Sequence, residues 1–464
     1  MFITKKEHID ILRQLHEVIF PKLKNCWGFN PWPIIQIQVA YFSHLISFGK
    51  HKEEDFVNYQ RNKNNNKIKI AEIKSLIKIY LKCFLLKRKW KNKLLKQILY
   101  ISYKNHTDNF GENIYIHPAK RYFEKEGYLG TILNIDNKNY KCNSIEEYFQ
   151  TLLIYNTLLF KLKAFLSKKE INKASFNANL VCNYFEKREI RIANKIADIV
   201  FFSQIQNQLF YKAMLSFLKT LSPQTIFHYN YDNNTNLAII RAANYIGIKT
   251  TEYQHSTISN YHFAYTKWED IDNYFYFFPA KFRVWNEFSK VVIFNNFCSN
   301  NYKPEIICSG NFHLNEQKEK LKHLSINQEV KKNNILVCLQ GFWIPDFIEN
   351  FIIENIDHFW YFRLHPRYPE DKEKLIELKN KIPNKIDMEL ANLLPLYELF
   401  FKVGFILTSF SGTALEASYF DVKTIIFGKD GFSTYEEQIK AGIFNFVSSE
   451  IELQNIFNFS DIEK

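Results

Sequence analysis

The sequence predicts an α/β protein of two doubly wound domains facing a cleft, preceded by a helical extension. Three observations predict it. Short β-rich apolar runs alternate with helical segments in two successive series. A polar, lysine-rich stretch from Asn311 to Asn333 separates the series. The residues before about 95 carry helical patterning and no convincing strand. A chain of 464 residues is also too long for one hydrophobic core. The expected boundaries are a basic helical extension over 1–96, an N-terminal Rossmann-like domain over 97–315 and a C-terminal one over 316–464.

The extension is broken by the polar run Arg61-Asn62-Lys63-Asn64-Asn65-Asn66-Lys67, which buries nothing and reads as a loop. The first strand signal is Gln97 to Tyr103, ending in the polar loop Lys104 to Gly111. A mostly helical stretch follows from Ser144 to about Leu221. Thr225 to Tyr231 is the next strand, Asn236 to Ile246 a helix stopped by Gly247, and Lys249 to Gln254 another strand, together a βαβ unit. In the second series the strands are Asn334 to Gln340, Phe359 to Leu364, Gly404 to Thr408 and Lys423 to Gly428, with helices between them.

Hydrophobic residues make up 46% and aromatics 17% of the chain, which excludes a disordered protein. The start has no charged head, apolar run and cleavage site, so a cytoplasmic protein is expected. The most apolar stretch, Pro33 to Phe48, holds Gln36, Gln38 and His44 and falls short of the ~20 residues that a bilayer span needs. The 7 cysteines are dispersed without a C-x-x-C pair, which predicts reduced, mostly buried thiols.

The net charge of +13 suits an anionic partner. It concentrates in Lys74, Lys78, Lys82, Lys87, Arg88, Lys89, Lys91, Lys93 and Lys96, with Ile, Leu, Phe and Trp interleaved and no acid among them. Such a helix either lies on an anionic membrane or is a solvated face. A nucleic-acid-binding protein would explain the charge, yet no recognised nucleic-acid motif accompanies it, so no nucleic acid is expected as a partner.

The candidate chemistry sits at strand ends, where open α/β sheets bind ligands. Arg363-Leu364-His365-Pro366-Arg367 ends one strand, and Pro366 fixes the chain's exit and the direction of the His365 imidazole. His365 can meet an anion or simply bond a nearby carbonyl. Thr408-Ser409-Phe410-Ser411-Gly412-Thr413-Ala414-Leu415-Glu416 is a hydroxyl-rich turn entering a helix, suited to phosphate through free N–H groups. Thr413 and Glu416 also have the spacing of a capping box. Gln340 and Gly341 close their strand and join this set. Lys429-Asp430-Gly431 reads as a turn, and Glu269-Asp270-Ile271-Asp272 as an acidic turn. No Walker-type loop or G-x-G-x-x-G is present.

A strand ending in His-Pro, followed by a strand ending in a Ser/Thr-rich turn, resembles the bacterial GT-B sialyltransferases and related Kdo, polysialic-acid and capsule transferases. That resemblance spans roughly residues 220 to 445. It implies a metal-independent GT-B glycosyltransferase needing no cofactor, in which His365, Ser409 and Ser411 hold the phosphate of a cytidine monophosphate sugar. Glu416 would bind ribose or base. Gln340, Gly341, Arg363, Pro366, Arg367, Gly412 and Thr413 complete the expected donor set. Tyr231-Asp232-Asn233-Asn234-Thr235 resembles the acidic motif that supplies the base in these enzymes, with one carboxylate and no glycine; Asp232 also suits a turn. Gln254-His255-Ser256-Thr257-Ile258 resembles a Gln-His-Gly segment of polysaccharide-synthesis proteins, so Asp232 and His255 both stand as candidate bases.

The expected partners are a nucleotide-sugar donor, a glycan or lipid-linked acceptor and an anionic membrane surface, the protein being peripheral on the inner face of the membrane. A polyol-phosphate transferase of the CDP-glycerol type and a UDP-sugar transferase or epimerase are the alternatives on the same fold.

Overall fold

A computed structural model describes residues 5–47, 70–108, 110–136, 141–163, 167–188, 193–324, 331, 333–341, 343–355, 357–365 and 371–459. The run Arg61 to Lys67 lies outside the described residues, as do Pro366 and Arg367. The chain divides into two compact units, one of Met1–Ile258 with His262–Ser309 and one of Ser259–Tyr261 with Gly310–Lys464.

In the N-terminal unit the strands are β1 (Ile98–Ser102), β2 (Gly130–Asn134), β3 (Thr225–Tyr229), β4 (Lys249–Tyr253), β5 (Lys281–Val284) and β6 (Glu305–Cys308). They form one sheet in the order β2-β1-β3-β4-β5-β6. The C-terminal unit holds β7 (Asn334–Cys338), β8 (Phe359–Arg363), β9 (Ile386–Asp387), β10 (Phe405–Thr408), β11 (Lys423–Phe427) and β12 (Phe444–Val447), ordered β12-β11-β10-β7-β8-β9. Every pairing in both sheets is parallel. The doubly wound α/β class expected from the sequence is therefore present twice over.

The central strands are buried on both faces, as parallel strands under helices must be: all of β1 and β10 is enclosed. Five strands, β2, β5, β6, β9 and β12, carry no clear mark in the sequence. β2 begins at Gly130, where a Cβ would lie 3.0 Å from Tyr100 Cδ2, 3.2 Å from the Ile98 carbonyl oxygen and closer still to Tyr100 Cε2. The aromatic ring of the neighbouring strand thus requires a glycine in a position that strand propensity disfavours.

The helices preceding β1 are built into the first unit. α1 (Lys5–Ile19) and α2 (Trp32–Ser47) contribute Leu12, Leu15, Trp32 and Ile35 to a core shared with Val181 of α6 (Lys168–Glu186) and Val200 of α7 (Ala193–Leu221). α8 (Asn234–Tyr245) is fastened to the same core by Arg241. Its guanidinium lies 3.8 Å from the ring centroids of both Phe29 and Tyr211, and it donates to Asn207 Oδ1 (3.3 Å) and Gln208 Oε1 (3.0 Å). Among the described residues no carboxylate pairs with this buried cation, and burial draws its pKa down to about 10.

α3 (Ile70–Trp90) packs on α5 (Ile145–Lys163) and α7, with Cys83 and Leu86 against Tyr148, Phe149 and Phe217. The stretch Asn311 to Asn333, read as a crossing, contains a helix, α10 (Phe312–Leu321), whose Phe312 and Leu314 are buried in the second unit. All described cysteines are free thiols, with Cys26, Cys83, Cys182 and Cys338 buried. The acidic turn at Glu269 is observed: Asp270 is left-handed at φ 55°, and Asp272 Oδ1 accepts from Ser299 Oγ and from the Asn301 N–H.

Candidate functional site

In the C-terminal sheet the chain runs from β7 outward to β8 and β9, returns beside β7 as β10, and continues the other way to β11 and β12. The winding direction reverses between β7 and β10. In open α/β sheets the crevice beyond the carboxyl ends at such a point is where ligands bind. The register pairs Arg363 with Cys338, Cys338 with Thr408 and Thr408 with Ile426. Two residues further on, His365, Gln340, Phe410 and Gly428 emerge at one level from four adjacent strands. With strands ~4.8 Å apart, the Arg363 and Thr408 backbones at the two strand ends stand about 10 Å from each other across Cys338.

Gln340 ties this edge together, its Oε1 accepting from the Phe410 N–H at 3.0 Å. Gly341, at φ +78°, donates its N–H to Asp371 Oδ2 at 2.8 Å. The Ser409 turn is crowded by the next strand's exit: a Cβ on Gly431 would lie 3.0 Å from the Ser409 carbonyl oxygen and 2.8 Å from Ile426 Cγ2. Ser411 Oγ accepts from the Thr413 N–H at 3.4 Å, and its carbonyl accepts from the Tyr435 hydroxyl.

Several expectations change here. Lys429–Thr434 is a helix and not a turn, because Gly428 supplies the left-handed residue (φ +78°) that lets the chain turn straight into it. The Thr413–Glu416 capping box does not form: the helix Thr413–Ser418 begins after Gly412, with no side-chain cap. Thr413 Oγ1 is enclosed beside the Cys338 thiol. Glu416 is half-buried, and desolvation pushes its pKa up to about 7. Arg363 Nη1 donates to the carbonyls of Ala391 and Leu394, both at 2.8 Å, so it anchors that loop. His365 is half-buried immediately beyond β8.

The N-terminal sheet also reverses its winding, with one strand and not two on the outer side of its first strand. The chain winds from β1 to β2, returns beside β1 as β3 and proceeds to β4, β5 and β6, so its reversal lies between β1 and β3. Asp232 occupies the turn directly after β3, between Asn230 in the left-handed region (φ 61°) and Asn233. Asn233 caps α8, its side chain accepting from the Asn236 N–H at 2.8 Å, which accounts for an asparagine there. Asp232 Oδ1 is enclosed and has no hydrogen-bond partner among the described residues. Burial, reinforced by the nearby Glu252, raises its pKa to about 7.

Asn113 and Asn236 bind the two strand ends. Asn113 Nδ2 donates to the Tyr103 carbonyl (2.9 Å) and the Tyr229 hydroxyl (2.8 Å). Asn236 Nδ2 donates to the Tyr229 and Asn230 carbonyls (2.8 and 2.9 Å), while its Oδ1 accepts from the Tyr103 hydroxyl at 2.8 Å.

Beyond them His255 faces three rings, with centroids 5.8 Å from Tyr229, 6.0 Å from Tyr115 and 6.4 Å from His106. Burial, with His106 adding to it, lowers the His255 pKa to about 3. Under the site, His228 Nδ1 lies 2.8 Å from Glu252 Oε2, both side chains fully enclosed. Burial pulls His228 down to about 3 and pushes Glu252 well above the carboxylate range.

The structure thus gathers Asp232 and His255 at the carboxyl edge of one sheet, and Gln340, His365 and the Ser409–Thr413 turn at that of the other. Sequence reasoning missed His106, Asn113, Tyr115 and Tyr229. The available signal was position, since His106 and Asn113 lie just past the first strand.

These two sheets, each carrying polar residues where its winding reverses, define a twin doubly wound α/β protein. No protein-family model matches the chain, and neither does any curated protein. Among solved structures it is similar to the UDP-GlcNAc 2-epimerase from Methanocaldococcus jannaschii, with 15% identity over 77% of this chain and 91% of that one and a TM-score of 0.45. It is similar to the UDP-GlcNAc 2-epimerase from Neisseria meningitidis bound to UDP-GlcNAc, at 15% identity, 79% and 90% coverage and a TM-score of 0.43. MurG from Acinetobacter baumannii matches at 9% identity, 78% and 91% coverage and a TM-score of 0.41.

Proposed function

We propose that the protein is a metal-independent glycosyltransferase that moves a sugar from a nucleotide-activated donor to a growing surface glycan. The observation that carries the reading is the level set of His365, Gln340 and the Ser409–Thr413 turn at the reversal point of the C-terminal sheet. There a phosphate meets an imidazole on one side and hydroxyls with backbone N–H groups on the other, the arrangement that stabilises a departing phosphate. Through the resemblance of this pair, the donor is a cytidine monophosphate sugar of the sialic-acid or Kdo kind.

In the transfer step the acceptor hydroxyl oxygen bonds the anomeric carbon. The bond from that carbon to the donor phosphate breaks, and its electron pair leaves on the nucleotide. The hydroxyl proton goes to a base on the protein. Asp232, with a pKa of about 7, suits that task near neutral pH, whereas an imidazole with a pKa of about 3 is too weakly basic for it. His255 and the rings around it then position the acceptor.

Thermal melting with cytidine, uridine, guanosine and thymidine nucleotides tests the reading. Binding to the folded state alone adds about 2.7 kcal/mol at a hundredfold excess over Kd. Stabilisation by cytidine monophosphate above the others is expected. Preference for uridine diphosphate would replace the donor assignment, and indifference to every nucleotide would remove the transferase reading.

A further inference from the structure

α3 is buried along one seam and exposed along the other. Cys83 and Leu86 are enclosed, with Ile79 and Trp90 packed beside them against α5 and α7. At 100° per residue these side chains share one face of the helix. Ile77, Leu81, Phe84 and Leu85 lie on the opposite face and are 59%, 56%, 51% and 65% exposed. A helix with apolar stripes on both sides has one more than its own fold uses.

The outer stripe is edged by cations. Lys78 flanks it on one side and Lys87 on the other, with Arg88 in line at its end and Lys91 in the turn just after the helix, and all four side chains are exposed. Two lysines of the basic run do other work. Lys82 pairs with Glu147 Oε1 at 2.5 Å, and Lys89 Nζ donates to the Asn143 carbonyl at 3.1 Å, both on the segment that α3 packs against.

We propose that the outer face of α3 seats on an anionic lipid bilayer, with Ile77, Leu81, Phe84 and Leu85 entering the boundary between headgroups and acyl chains and Lys78, Lys87, Arg88 and Lys91 holding the anionic headgroups. The combination selects this partner. A nucleic acid would satisfy the cations but would leave four large apolar side chains facing a polar backbone. A second copy of the chain would bring the same positive face against itself. An interfacial helix uses both features, since insertion gains from apolar area and from attraction to anionic lipid together. The contact is peripheral: among the described residues no helix is long and apolar enough to cross a membrane. The inference is independent of the transferase reading.

Flotation with vesicles of phosphatidylethanolamine and phosphatidylglycerol, compared with vesicles of phosphatidylcholine alone, tests it on the full chain. The wild type should float with the anionic vesicles only. Lys87→Gln, Arg88→Gln and Lys91→Gln combined should weaken that binding on the order of 100-fold. Leu81→Ser with Leu85→Ser, which alters no charge, should weaken it by at least about 10-fold. Both variants should melt with the wild type, because every substituted side chain is exposed. The proposal is overturned if the wild type does not float or floats equally with phosphatidylcholine. It is also overturned if the leucine variant floats like the wild type, if duplex DNA displaces the vesicles at physiological salt, or if light scattering shows that the leucine variant has changed oligomeric state.

Discussion

Replacing Asp232 by asparagine should make the protein more stable and inactive at once. The carboxyl has an enclosed Oδ1 with no hydrogen-bond partner among the described residues and lies near Glu252, and its pKa rises from 3.8 to about 7. A shift of that size corresponds to about 4 kcal/mol at most, at 1.36 kcal/mol per pKa unit. Asp232 keeps partial contact with solvent, which reduces the expectation to about 1–3 kcal/mol. The pH dependence has a definite sign. At pH values below ~3.8 the carboxyl is protonated in both folded and unfolded chains, and asparagine offers no advantage. As pH rises toward ~7 the unfolded chain releases the proton and the folded chain keeps it, so the wild type loses stability that the variant retains.

Above ~7 the difference is constant. With ~2.1 cal/mol/K per residue of unfolding entropy over a unit of this size, the gain in Tm near pH 8 is about 2–5 °C. Calorimetric scans at several pH values measure it, and a donor-to-acceptor transfer assay on the same material measures turnover. A gain already complete at acid pH, or a loss at alkaline pH, would show that the carboxyl is not held in its neutral form. Near-native turnover in the asparagine variant would remove Asp232 as the base, whatever the melting curves show.

Two further outcomes follow from the strand ends and the sheet. His365→Ala should lower turnover at saturating donor by about 10²–10³ while Tm stays within a degree or so, because the half-buried imidazole stands beyond β8 and fills no core; steady-state kinetics beside a melting curve check both halves. Gly130→Ala should destabilise the N-terminal unit by about 1–3 kcal/mol, since the added methyl meets the fully buried Tyr100 ring and the Ile98 carbonyl. A urea midpoint equal to that of the wild type would refute the crowding between β1 and β2.

How far the fold was legible follows from the kind of signal each element carries. β3, β7, β8, β10 and β11 are largely apolar runs beside clear turn residues and β4 is a Thr- and Tyr-bearing run after Gly247, and the sequence places each within a few residues. β9 is two residues long and β12 is Phe-Asn-Phe-Val, too short for any period to emerge. β2 is marked by its glycine as a turn, because the ring that demands a glycine belongs to another strand. The helices before β1 were recognised as helices. That Leu12, Trp32 and Ile35 pack on α6 and α7, well over a hundred residues later, is a long-range fact that local periodicity does not contain.

The site residues were legible for a different reason. A parallel sheet sends every carboxyl end to one edge, so a polar residue just past a strand is at that edge whichever strands turn out to be neighbours. This is why Asp232, His255, Gln340, His365 and Ser409 could be named before the strand order was known. What each one does there depends on its surroundings. Arg363 follows the same positional rule, yet its guanidinium is occupied by the Ala391 and Leu394 carbonyls. Asp232 and His255 were indistinguishable as bases because both follow a strand in polar sequence. Burial moves a carboxyl and an imidazole in opposite directions, raising Asp232 to about 7 and lowering His255 to about 3, and the proposed choice of Asp232 as the base rests on that difference. The extra push on Asp232 comes from Glu252, an acid inside β4 that a strand pattern alone would have turned toward solvent.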